Sequence, residues 1–90
     1  MPFTYILYSA TLDKYYIGST RESTAERLYK HNHKHKGFTS SDNDWKVVYQ
    51  ESFSEYPDAL NREKTIKKWK SRKMIQKLIE HNDSTEHPDL

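Results

Sequence analysis

The sequence predicts an α+β fold built on a small, mostly antiparallel sheet. Three observations lead there. Two short runs of aromatic and branched residues, Phe3–Ser9 and Tyr15–Ser19, lie close together near the start of the chain, as the arms of a hairpin do. A third run, Trp45 to Phe53, alternates in polarity, the period-two signature of a strand. From Tyr56 onward the apolar residues recur at helical spacing instead.

The elements follow in order. Phe3–Ser9 is the first strand, Ala10–Lys14 the hairpin loop and Tyr15–Ser19 the second strand, which reaches Gly18 where the backbone turns or something approaches it closely. Ser23-Thr24-Ala25-Glu26 has the pattern of a capping box, with Ser23 accepting from the Glu26 N–H, so a helix should start near Thr24. It turns Ala25 and Leu28 inward and fades through His31–Lys36 before Gly37. In the third strand Trp45, Val47, Tyr49, Glu51 and Phe53 share one face. A second helix runs from about Pro57 to Trp69 or Lys70, with Pro57 and Asp58 as first-turn residues and Ala59, Leu60, Ile66 and Trp69 as its inward stripe. Ser71 then offers a break and an N-cap, and Met74, Ile75, Leu78 and Ile79 give a third helix its own apolar face.

Ninety residues make one domain, enough for a modest core that buries somewhat over ~60% of the surface exposed by the unfolded chain. Residues 1–80 are read as that domain and 81–90 as an acidic, loose tail. With no cysteine, disulfides and thiolate metal sites are excluded, and any metal must rest on oxygen or imidazole. The first residues lack the features of a signal peptide, and no apolar run approaches the ~20 residues needed to span a bilayer. A soluble, cytoplasmic protein with no membrane partner is expected.

Charge is unevenly distributed. Residues 1–60 carry seven basic and eight acidic side chains, residues 61–77 eight basic and one acidic, and residues 78–90 four acidic and none basic. The local excess around Lys67, Lys68, Lys70, Arg72 and Lys73 is the electrostatic footprint of a phosphate-binding face. It also suits a solvated helix end, where lysines are favoured by the macrodipole.

Candidate site residues come from spacing. Tyr16, in Tyr16-Ile17-Gly18, stands eleven positions after Tyr5 and eleven before Arg27, so two phenols and a guanidinium converge on one glycine. At about 100° per residue, Glu63 points between Ala59 and Leu60 into the inward stripe of its helix. A buried unpaired carboxylate costs several kcal/mol, so Glu63 is paired with a cation, bound to a metal, or open to a cleft. Arg27 and His31 are four apart and share a neighbourhood on the first helix. His31, His33 and His35 alternate, but residues two apart do not share a helix face, and His31 with His35 alone is poor zinc spacing.

Taken together, Tyr5, Tyr16-Ile17-Gly18, Arg27, His31 and Glu63 resemble the GIY-YIG nuclease superfamily. The likeness is closest to its small stand-alone bacterial members, whose second half reads much like Ala59-Leu60-Asn61-Arg62-Glu63-Lys64 and Lys68-Trp69-Lys70-Ser71-Arg72-Lys73. It extends from Phe3 to about Ile79. The resemblance implies a three-stranded antiparallel sheet packed by helices and a metal-dependent endonuclease acting on DNA, in repair or processing. It makes Tyr5 and Tyr16 the motif tyrosines, Arg27 the catalytic arginine, His31 the histidine one turn later, and Glu63 the carboxylate that binds a single Mg²⁺ or Mn²⁺. Phe3 and Thr4 depart from the first motif, the interval from Tyr16 to Arg27 is one residue longer than the family's, and Asn82 is a loose candidate for a late family asparagine.

The chemistry fits these roles. Phosphodiester hydrolysis needs an activated water, in-line geometry and positive charge where the transition state gathers negative charge. Arg27 would bind a non-bridging oxygen with its planar fork, Tyr5 would take the proton from water, Tyr16 would orient it, and His31 would orient or relay. A free phenol, pKa about 10, is a poor base at neutral pH, so the metal and Arg27 must depress it. Weak sequence preference is expected, because a small domain without an appended reading element contacts backbone more readily than base edges. Two other classes stay open. One is a binding module without turnover, its lysines gripping phosphates and Trp69 either stacking or in the core. The other is a protein-interaction domain that docks its basic helix on an acidic partner.

Overall fold

The computed structural model describes residues 1–33 and 44–85, with side chains as far as His81 in the last helix. Strand β1 spans Phe3–Ser9, β2 Lys14–Thr20 and β3 Lys46–Ser52; helix α1 spans Thr24–His33, α2 Tyr56–Trp69 and α3 Arg72–Thr85. The strands form an antiparallel sheet in the order β2-β1-β3, so β1 is central and β2 is an edge. The α+β architecture is the one the sequence predicts.

Local chemistry sets the boundaries. Ser23 Oγ accepts from the N–H groups of Ala25 (3.0 Å) and Glu26 (3.3 Å) and so caps α1 as expected. Pro57 in the first turn of α2 sacrifices no helical hydrogen bond. Lys70, left-handed at φ 48°, ends α2. Ser71 restarts the chain as a helix, its Oγ accepting from Met74 N–H (3.2 Å) and its carbonyl from Ile75 N–H (3.1 Å).

The sheet is covered on both faces, which is why Thr4, Tyr5, Ile6 and Leu7 of β1 are all fully buried. On one face Ile6, Ile17 and Tyr49 pack with Ile66 of α2 and Ile75 of α3, joined by Tyr15, Val48, Trp69, Leu78 and Ile79. Thr4 faces the same way, and its hydroxyl donates to the Ala59 carbonyl at 2.7 Å, satisfying a polar group in the core. Trp69 therefore belongs to the core. The opposite face holds Tyr5 and Gly18 and receives α1.

Three expectations are corrected. A bulge lets Ile6 pair with Tyr49 and Leu7 with Val47, leaving Val48 extra. Trp45 consequently lies on the α1 face beside His31 while Tyr49 joins the core with Ile66, so the uniform alternation read from Trp45 to Phe53 is broken. On α1, Ala25 is exposed, and Thr24, Arg27, Leu28, His31 and Asn32 are the partly covered residues. Met74 is 44% exposed and so lies off the apolar face read for α3, which runs to Thr85. His35 and Gly37 lie outside the described residues, as does the side chain of Asn82. Among the described residues no helix is long and apolar enough to cross a membrane.

Candidate active site

The site forms where side chains from β1, β2 and α1 meet on one face of the sheet, with Glu63 of α2 reaching edge strand β2 from the other. Tyr5 and Gly18 are directly opposed across the β1–β2 ladder. A Cβ on Gly18 would lie 2.7 Å from Tyr5 Oη and 2.8 Å from its Cζ, with Tyr16 Cε2 at 3.0 Å. Gly18 is thus required by the phenol that lies across it, a close approach that no other residue permits.

Arg27 enters from α1. Its Nε donates to Tyr5 Oη at 3.3 Å, and it also interacts with the Tyr16 phenol. The two tyrosine rings are 6.4 Å apart. Burial pushes the Tyr5 pKa above its ordinary value, while the hydrogen bond and charge of Arg27 pull the other way. The phenols in turn raise the pKa of Arg27. Tyr16 is 36% exposed and packs on His31 at 4.3 Å between ring centroids, with Trp45 edge-on at 6.5 Å. The fold therefore brings Tyr5, Tyr16, Arg27 and His31 into one cluster.

Glu63 approaches from α2. Its Oε1 accepts from Ser19 Oγ at 2.5 Å and its Oε2 pairs with Lys67 Nζ at 2.6 Å. The side chain is 17% exposed, so the inward-pointing carboxylate is both paired and open at its edge. Its charge reaches Tyr5, where it adds to the upward shift; Lys67 in turn feels Tyr16 and Tyr5 and has a raised pKa, chiefly through Glu63. Tyr5, Tyr16, Arg27, Glu63 and Lys67 are thus one electrostatic unit wrapped around β2.

The other basic residues divide. Lys68, Lys70 and Lys73 are exposed. Arg72 is held by the β1–β2 turn: it donates to the Asp13 carbonyl (2.9 Å) and carboxylate and lies over the Tyr15 ring, 5.2 Å from its centroid. At the other end of β2 an open groove of about 510 Å³ is bordered by Thr20, Arg21, Arg27, Lys30 and Tyr56, with the Arg21 guanidinium over the Tyr56 ring at 4.1 Å. The chain turns there from β2, which ends at Thr20, into α1, which starts at Thr24.

A family model, the GIY-YIG catalytic domain, matches residues 1–77 of the 90-residue chain. The chain belongs to the GIY-YIG family. No curated protein and no solved structure matches it significantly. GIY-YIG membership places it among nucleases, which act on nucleic acid and generally depend on a divalent metal. Among the described residues no group of three His, Cys, Asp or Glu could enclose an ion. A single carboxylate is still compatible with a hard cation, because Mg²⁺ is commonly held by one or two carboxylates with its remaining positions on water and phosphate. Glu63 would be the carboxylate to offer such an oxygen, and only if Lys67 yielded it. Sequence reasoning missed Ser19, which bonds Glu63, and Asn32, whose side chain bonds the backbone of Trp45 beside this GIY-YIG cluster. Ser19 was visible as the residue after Gly18, whereas the Asn32 contact depends on the bulged approach to β3.

Proposed function

We propose that this GIY-YIG domain is a divalent-metal-dependent endonuclease that hydrolyses DNA phosphodiester bonds with weak sequence preference, in DNA repair or processing in the cytoplasm. Residues 1–80 make up the catalytic unit and 81–90 lie outside it. The observation that carries this reading is the Arg27 guanidinium bonded to the Tyr5 phenol with Tyr16 beside both, and with the Glu63 carboxylate close enough to affect Tyr5.

Tyr5 takes the proton from the attacking water. Because burial raises its pKa, this role depends on positive charge nearby, part of which Arg27 supplies. Tyr16 orients the water, and His31, packed on its ring, steadies or relays. The fork of Arg27 binds a non-bridging phosphate oxygen, where transition-state charge accumulates. Glu63 would hold Mg²⁺ or Mn²⁺, which when bound supplies charge at the leaving oxygen. Ser19 fixes the rotamer of Glu63 through its hydrogen bond. Lys67, Lys68, Lys70 and Lys73 attract the phosphate backbone; Arg72, held by Asp13, adds to the field rather than making a contact.

One observation favours a second reading, a binding module without turnover: both Glu63 oxygens have protein partners. The test presents supercoiled plasmid, single-stranded DNA and RNA to the purified protein, with and without Mg²⁺ or Mn²⁺. Metal-dependent cleavage of DNA supports the endonuclease. Salt-sensitive binding with no cleavage in either metal supports the binding module, and preferential cleavage of RNA overturns the DNA assignment.

A further inference from the structure

Asn32 makes a two-point contact with the backbone of Trp45. Its Nδ2 donates to the Trp45 carbonyl at 3.1 Å and its Oδ1 accepts from the Trp45 N–H at 2.9 Å. Only a side-chain amide offers one donor and one acceptor in that fork. Trp45 stands one residue before β3 begins at Lys46, beyond the β1–β3 pairing, which ends at Tyr8↔Lys46. The Asn32 side chain thus supplies what a neighbouring strand would have supplied, and it ties the end of α1 to the start of β3.

The tied residue faces the candidate active site. Its indole lies 6.0 Å from the His31 ring and 6.5 Å from the Tyr16 ring, the latter at an interplanar angle of 74°. Such edge-on aromatic contacts have a preferred geometry and hold rings in place. Tyr16 needs the support: it lies on an edge strand and is 36% exposed. Within its own strand the ring lies over Gly18, which offers backbone but no side chain to flank it.

We propose that Asn32 is a positioning residue. By holding the Trp45 backbone it seats the indole against Tyr16 and His31 and so fixes the Tyr16 phenol beside the Tyr5–Arg27 pair. The inference rests on the nuclease reading for its catalytic consequence and on geometry alone for its structural one. A phenol displaced by about 1 Å costs on the order of 10²-fold in rate, so the clamp acts on turnover rather than on substrate binding.

The test compares wild type with Asn32→Ala, Asn32→Asp and Trp45→Leu, each checked for an intact cooperative melt. Asn32→Asp keeps the shape and the acceptor and loses the donor, so it remains informative should the alanine variant fail to fold. Two measurements decide. In NMR spectra, the His31 and Tyr16 ring protons, shifted by the Trp45 ring current, should move in all three variants. In plasmid cleavage, kcat should fall by roughly tenfold or more with KM within about twofold, and Asn32→Ala combined with Trp45→Leu should be little worse than either alone. Folded Asn32 variants with unmoved ring protons, or with wild-type kcat, overturn the inference while wild-type cleavage leaves the nuclease reading intact. Absence of metal-dependent cleavage by the wild type overturns both the nuclease reading and the catalytic role given to Asn32.

Discussion

The Tyr5 phenol lies across Gly18 so closely that its oxygen is 2.7 Å from where a side chain on that glycine would begin. The glycine is therefore a steric condition on the phenol. Gly18→Ala should destabilise the fold by about 1–3 kcal/mol, the usual cost of overpacking a filled site, and should displace Tyr5 from Arg27. Denaturant unfolding and plasmid cleavage check the two parts. Stability within error of wild type would mean that the ring moves away at no cost.

Arg27→Lys keeps the charge and loses the planar fork. The phenol contact to Nε and the bidentate reach to phosphate go together, so single-turnover cleavage should fall by on the order of 10²-fold. DNA affinity should change little. Equal loss in binding and cleavage would assign Arg27 to substrate capture instead.

The pH dependence follows from the sign of the Tyr5 shift. Burial raises this phenol and Arg27 lowers it without cancelling the rise, and a base works only when deprotonated. The logarithm of kcat/KM should accordingly climb with slope near 1 from about pH 7 to about pH 9 and lose that climb in Tyr5→Phe. A flat profile over this range would contradict Tyr5 as the base.

The β1–β2 turn gives a stability prediction from a pKa shift of opposite sign. The Asp13 carboxyl is lowered first by the Tyr8 hydroxyl bond and then by Arg72, and that of Asp44 first by the Ser9 bond. A depressed folded-state pKa contributes stability above the ordinary carboxylate value of about 4 and loses it as pH falls through the depressed value. Asp13→Asn, which tolerates the left-handed φ of 54°, should melt below wild type at neutral pH and converge with it at low pH. Thermal melts at the two pH values measure this, and a constant gap would show that charge is not the cause.

Much of this was legible in the sequence. The capping box at Ser23, the period change at Tyr56 and the break at Ser71 each act locally, so α1, α2 and α3 begin close to where the residues say. The convergence of Tyr5, Tyr16 and Arg27 was legible too, because Tyr5 and Gly18 face one another through a regular antiparallel ladder and Arg27 follows a capped helix start. What was hidden depends on non-local register. The bulge at Val48 puts Trp45 and Tyr49 on opposite faces, a switch with no glycine or proline to announce it. Arg72 belongs to the basic run by sequence, yet folding delivers it to Asp13, 59 positions away. Asn32 reads as a polar residue at a fading helix end until the return of the chain at Trp45 gives it a partner.

In the proposed function, Glu63, held by Ser19 and Lys67, is the carboxylate through which a divalent ion serves this site. Nicking of supercoiled plasmid by wild type and Glu63→Ala over a Mg²⁺ and Mn²⁺ titration, with DNA binding followed in parallel, decides whether Glu63 has that role. Metal-dependent nicking by wild type, abolished in a folded Glu63→Ala protein that still binds DNA, is the predicted result. Nicking that persists undiminished in Glu63→Ala with the same metal dependence would contradict the account.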